Sequence, residues 1–157
     1  GVPLTDKRVL LLGAGGAARG VIEPLLELDP RELIIANRTT AKAAELATLF
    51  APLGPISGCG FDDLGDRAFD LVINATAAGL DDAVAPIPGT VFAPGAWAYD
   101  MMYAAQPTAF VRWSLAHGAD QARDGLGMLV EQAAEAFRIW RGVRPQTAPV
   151  IAQLRAA

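Results

Sequence analysis

The junction between the apolar run Val9-Leu10-Leu11-Leu12 and the segment Gly13-Ala14-Gly15-Gly16-Ala17-Ala18 constrains this chain more than any other stretch. A short unbroken apolar run predicts a strand buried on both faces of a parallel sheet. The segment after it matches G-x-G-x-x-A, with Gly13, Gly15 and Ala18 in the three key places. The first glycine allows a tight turn, the second lets backbone approach a pyrophosphate, and the small third residue lets helix pack closely on strand. A helix opening there presents unpaired N–H groups and a partial positive charge. A glycine turn alone can serve only a positive φ at a strand-to-helix junction. With a strand before it, a helix after it and a second strand following, the pattern predicts a dinucleotide site.

The remaining pattern alternates in the same way. Helical spacing of Val21, Ile22, Leu25, Leu26 and Leu28 predicts a helix over Ala17 to Leu28, kinked at Pro24 and ended by Asp29-Pro30. Glu32 to Ala36 predicts a second buried strand, and Thr39 or Thr40 is expected to cap a helix over Ala41 to Phe50 with Ala43, Leu46, Ala47 and Phe50 inward. Further strands are expected at Ile56 to Gly60, Leu71 to Ala75, Ala96 to Asp100 and Ala119 to Arg123, with loop from Ala77 to Gly95. Helices are expected over Thr108 to His117, Leu126 to Trp140 and Ala148 to Leu154. The longest of these, from Leu126, carries Leu126, Leu129, Val130, Ala133, Ala134, Phe137 and Trp140 on one broad face. Repeated strand-helix-strand units imply an α/β fold with a parallel sheet.

After the second strand, a dinucleotide domain selective for NAD carries an acidic residue for the ribose 2′-hydroxyl. Here the sequence is Asn37-Arg38-Thr39-Thr40-Ala41-Lys42, with no carboxylate. Arg38 offers a paired donor fork, Lys42 a point charge, and the threonines hydroxyl donors, a set suited to a 2′-phosphate and hence to NADP. Composition excludes several alternatives. The 157 residues are 52% hydrophobic and carry a net charge of −4, which argues against a broad nucleic-acid surface. No apolar run approaches the ~20 residues of a membrane span, no signal peptide is expected, and Cys59 alone cannot form an internal disulfide or a zinc cluster. Lysine occurs only at Lys7 and Lys42, within 13 Lys+Arg.

The motifs at 13–17, Asn-Arg-Thr at 37–39, Asn-Ala-Thr with Gly at 74–76 and 79, Tyr-Asp-Met with Tyr at 99–101 and 103, and Asp-Gly-Leu-Gly-Met-Leu with Gln at 124–129 and 132 stand in register over nearly the whole chain. Together they resemble the C-terminal NADP-binding portion of the shikimate dehydrogenase family. The resemblance implies NADPH-dependent, reversible reduction of 3-dehydroshikimate to shikimate in aromatic amino-acid biosynthesis. It implies a Rossmann-like, doubly wound, mostly parallel six-stranded sheet flanked by helices, with C-terminal helices that pack on a substrate domain. Residues 1–124 would form the NADP-binding domain and 125–157 the helices that return to that substrate domain.

Carried over by position, Gly13, Ala14, Gly15, Gly16 and Ala17 would cradle the pyrophosphate, and Asn37, Arg38, Thr39 and Lys42 the 2′-phosphate. Thr76 would lie along the cofactor, Met101, Gly125 and Met128 near the nicotinamide, and Tyr103 and Gln132 against the substrate. Read without the family, Asn74 and Thr76 are equally strand-end caps, Met101 and Met102 core filler, Gln132 part of a solvated helix face, His117 a surface helix end and Cys59 a small buried hydrophobe. The family's catalytic Lys and Asp lie in an N-terminal domain that is expected to be absent from this chain, so no catalytic residue is expected here. The apolar face from Leu126 onward would then be exposed and invite a homodimer. A cytoplasmic enzyme with no metal, membrane or nucleic-acid partner is expected. The alternatives are a quinate/shikimate dehydrogenase, distinguished by an acidic residue at the Arg38 position, and a non-catalytic NADP-binding module.

Overall fold

A computed structural model describes residues 3–77 and 83–156 of the chain. Six strands, β1 (Arg8–Leu12), β2 (Glu32–Ala36), β3 (Ile56–Cys59), β4 (Phe69–Asn74), β5 (Phe92–Asp100) and β6 (Gln121–Arg123), form one sheet in the order β3-β2-β1-β4-β5-β6. All five pairings are parallel. The strands are joined or followed by α1 (Gly16–Leu26), α2 (Thr40–Phe50), α3 (Ala109–Ala116), α4 (Leu126–Arg141) and α5 (Ala148–Ala156). The expected Rossmann-like, doubly wound architecture is therefore present. Its strand order reverses between β1 and β4, the point where open α/β sheets take ligands at their carboxyl ends.

The apolar runs fill two cores because side chains alternate along a strand. Val9, Leu11, Leu33, Ile35, Leu71 and Ile73 face α1 and α2 and meet Ile22, Leu26, Ala43 and Leu46. Leu10, Leu12, Ile34, Ala36, Val72 and Ala98 face the other way onto Phe69, Phe110 and the short turn at Phe61 and Leu64. At the far end of β1 from the glycines, Lys7 donates to Asp70 at 3.3 Å, and the Arg8 amide donates to the same carboxylate at 2.9 Å.

Several boundaries differ from expectation. α1 stops at Leu26 and leaves Leu28 51% exposed, because the chain reaches a left-handed turn at Asp29 (φ 52°). Pro24 lies within α1, where it cannot donate to the Gly20 carbonyl. β5 begins at Phe92, four residues before the predicted start. Pro94 and Gly95 (φ 77°) form a bulge there that shifts register with β4, and their turn-like character disguises the strand. Thr39 occupies the position before α2, but its hydroxyl makes no cap bond.

On α4 only Leu126, Val130 and Ala134 of the predicted apolar face are buried, while Leu129, Phe137 and Trp140 remain exposed. Arg144 folds the following turn back by donating at 2.6 Å to both Glu131 and Glu135. Among the described residues no helix is long and apolar enough to cross a membrane. Gly79 of the Asn-Ala-Thr motif lies outside the described residues, as does part of the predicted loop around it.

Candidate functional site

The carboxyl ends of β1 and β4 open into a cleft of ≈590 Å³. Of the predicted residues, Gly13, Ala14, Gly15, Gly16, Ala17, Asn37, Arg38 and Thr76 line it together. The reason is topological: β1 pairs with β2 on one side and β4 on the other, so three strand ends separated widely in sequence converge. Phe61, Val84 and Pro86 line the same cleft. Sequence reasoning missed them because an apolar wall residue in a loop carries no periodic signal.

The glycines are of two kinds. Gly13 has φ 102°, and a Cβ there would stand 3.0 Å from the Ala75 carbonyl oxygen, so the fold itself requires this glycine. At Gly15 and Gly16 a Cβ would meet nothing of the chain within 4 Å. Gly15 also has an ordinary extended conformation (φ −90°, ψ −171°) as the residue preceding α1. Their small size is thus not explained by the chain's own packing; it leaves room in the cleft at a helix N-terminus.

The basic edge is open. Arg38 and Lys42 are both exposed, and neither side chain has a hydrogen-bond or ion-pair partner among the described residues. Two cations at a helix N-terminus oppose the helix dipole, a placement that an anion would offset. Asn37 steadies the turn by donating to the Thr39 carbonyl at 3.0 Å. Thr39 and Lys42 stand beyond the cleft wall, at the opening of α2. Cys59, half-buried at the end of β3, is pushed above its ordinary thiol range by burial and by Asp63, which keeps it protonated.

At the other bank, Asn74 caps the end of β4. Its Oδ1 accepts from the Thr76 amide at 3.2 Å and from the Thr76 hydroxyl at 2.7 Å, and its Nδ2 donates to Asp100 at 3.0 Å. Met101 and Gly125 are in direct backbone contact: a Cβ on Gly125 would lie 2.3 Å from the Met101 oxygen, and the Gly125 amide donates to Met102 at 2.9 Å. Burial raises the Tyr99 hydroxyl, against the opposing effect of a bond from the Met128 amide. Tyr103 and Gln132 are both exposed, outside the glycine cleft. A second hollow of ≈610 Å³ lies beside α5, lined among others by Tyr99, Pro107, Asp124 and Arg155. The Asp124–Arg155 pair at its wall carried no sequence signal, because the two residues belong to different parts of the chain. Among the described residues no group of His, Cys, Asp and Glu could hold a metal ion.

Comparison with known proteins gives two family matches: "Shikimate / quinate 5-dehydrogenase" over residues 2–81 and "Shikimate 5'-dehydrogenase C-terminal domain" over residues 125–155. A shikimate dehydrogenase (NADP(+)) of Nitrosococcus oceani is 58% identical over 152 residues, covering 97% of this chain and 54% of that protein. The crystal structure of an Ael1 enzyme from Pseudomonas putida superposes with a TM-score of 0.86 at 49% identity, over 97% of this chain and 56% of its own. Shikimate 5-dehydrogenase from Thermus thermophilus, solved with NADP(H) and shikimate, superposes with a TM-score of 0.82 at 34% identity, over 99% of this chain and 56% of its own. The chain spans about half the length of the relatives it matches.

Proposed function

This chain belongs to the shikimate / quinate 5-dehydrogenase family, and from that premise we propose that it is the NADP-binding part of a shikimate dehydrogenase. The reaction is the reversible, NADPH-dependent reduction of 3-dehydroshikimate to shikimate, in a cytoplasmic enzyme of aromatic amino-acid biosynthesis. The observation that carries this reading is the space in front of Gly15 and Gly16, where a side chain would meet nothing of the chain. Such a pair of glycines at the switch point of the sheet fits a pyrophosphate approaching backbone N–H groups.

In this reading Gly13 turns the chain, and Ala14, Gly15, Gly16 and Ala17 present the opening of α1 to the pyrophosphate. Arg38, Lys42 and Thr39, steadied by Asn37, take the 2′-phosphate that balances the two cations. Thr76 borders the cofactor, and Met101, Gly125 and Met128 approach its nicotinamide end, while Tyr103 and Gln132 reach the substrate. NADPH, when bound, supplies the hydride. The proton for the developing alkoxide has to come from a group near the carbonyl. Lys7 is bonded to Asp70 at the opposite end of β1, and Lys42 sits on α2. By resemblance to the family, the proton donor is assigned to a Lys and an Asp of the substrate domain. Residues 1–124 would be the cofactor domain, and 125–157 the helices whose apolar face packs on the substrate domain or, without it, on a second copy.

Titrating NADP⁺ and NAD⁺ into the chain and into Arg38→Ala tests the assignment. The chain is expected to prefer NADP⁺, and Arg38→Ala to lose about tenfold in NADP⁺ affinity with little change for NAD⁺. Equal losses for both cofactors, or none, would reject the 2′-phosphate role.

A further inference from the structure

Asp100, the last residue of β5, is fully buried, and the reading above gives it no contact with cofactor or substrate. An apolar residue would be the cheaper occupant of such a place, as Ala98 is two residues earlier, since a buried carboxylate must recover its lost hydration. Three donors supply that recovery, each from a different piece of the chain. Asn74 Nδ2, at the end of β4, donates to Oδ1 at 3.0 Å. The Met102 amide, in the turn after β5, donates to the same oxygen at 3.1 Å. Thr108 Oγ1, the N-cap of α3, donates to Oδ2 at 2.6 Å while accepting from the Val111 amide at 3.3 Å.

The consequence lies in the Asn74 side chain. An amide has one accepting and one donating end. With an acceptor at Asp100, the Nδ2 end is committed to β5, and the Oδ1 end must face Thr76, which it holds by two bonds. Thr76 lines the glycine cleft. The same carboxylate, through the Met102 amide, holds the turn that begins with Met101.

We infer that Asp100 is a positioning residue for the cofactor cleft: it sets the polarity of the Asn74 amide and thereby fixes the Thr76 segment, and it locks that segment to the Met101–Met102 turn across the β4–β5 ends. The inference rests on the cleft being the NADP site. Its bond to Thr108 serves a different end, the anchoring of α3.

The test compares the wild-type chain with Asp100→Ala, Asn74→Ala, their double variant and Thr108→Val. Two quantities are read: amide hydrogen exchange at Thr76 and Met102 without cofactor, and NADP⁺ affinity at a temperature where each variant is folded. Asp100→Ala is expected to speed exchange at both amides and to weaken NADP⁺ by about tenfold. Asn74→Ala should speed Thr76 exchange and weaken NADP⁺ similarly, with the double variant no worse than the weaker single. Thr108→Val should lower stability and leave NADP⁺ affinity within about twofold. Should Asp100→Ala not fold, Asn74→Ala and Thr108→Val decide by the same two readouts. Unchanged Thr76 exchange, additive losses in the double variant, or an equal NADP⁺ loss in Thr108→Val would overturn the inference. If the wild-type chain fails to bind NADP⁺, the cleft reading falls, and exchange at Thr76 still decides whether Asp100 orders that segment.

Discussion

Arg155, near the end of α5, donates through Nη1 to the Asp124 carboxylate at 2.7 Å, so the last helix is tied to the residue that follows β6. Burial raises the Asp124 carboxyl, but the Arg155 guanidinium and the Leu126 amide outweigh it and hold the group below its ordinary range. A depressed native value contributes stability above the unfolded value and loses it as pH falls through the native one. Urea unfolding should therefore show stability falling below about pH 4, with a smaller fall in Arg155→Ala. At neutral pH Arg155→Ala is expected to cost about 1–2 kcal/mol, a modest figure because the arginine side chain is 44% exposed.

Gly15 separates binding from folding. Gly15→Ser supplies a favourable helix N-cap in an extended conformation and meets nothing of the chain, so stability should stay within about 0.5 kcal/mol or rise. The added side chain occupies the space assigned to pyrophosphate. NADP⁺ affinity measured by titration should fall at least about tenfold.

Gly58 makes the opposite case. A Cβ there would lie 2.3 Å from the backbone carbon and oxygen of Ala43, so α2 rests directly on β3. Gly58→Ala should lower stability by about 2 kcal/mol or more in thermal or urea unfolding, by overpacking an interface that has no flexible atom to yield.

Turnover is expected to be absent. With Lys7 bonded to Asp70 and Lys42 on α2, the purified chain should bind NADP⁺ yet give no reduction of it in the presence of shikimate. Shikimate-dependent appearance of NADPH absorbance would show that a proton-transfer group lies within these residues.

The apolar side chains left exposed on α4, on α5 and between them should be sticky. Phe137, Ile139, Trp140, Val143 and Leu154 are all exposed, Trp140 by 80%. The chain is expected to bind a hydrophobic dye and to self-associate in sedimentation, and Trp140→Glu to reduce both. A monodisperse monomer that binds no dye would count against this.

What could be read in advance follows how local each signal is. Val9 to Leu12 and Leu33 to Ala36 were legible as buried strands because an unbroken apolar run needs no partner to be recognised. The glycine turn and the Arg38–Lys42 edge were legible because their spacing belongs to single turns of chain. The start of β5 was not, since Pro94 and Gly95 look like a loop and become a bulge only against β4. The exposure of Leu129, Phe137 and Trp140 was expected from the family resemblance and not from periodicity, which shows that a face is apolar without showing what covers it.

By itself the sequence determined the alternation of strands and helices, the glycine turn after β1 and the absence of a carboxylate after β2, all properties of short windows in which residue spacing sets geometry. Tertiary structure alone decided that β4 lies beside β1, and so that Thr76 faces the same cleft as Gly13 and Arg38. It also decided that Asp100 meets Asn74, 26 residues away, and Thr108. The physical reason is that strand neighbours are chosen by long-range pairing and crossover handedness, which no local period records.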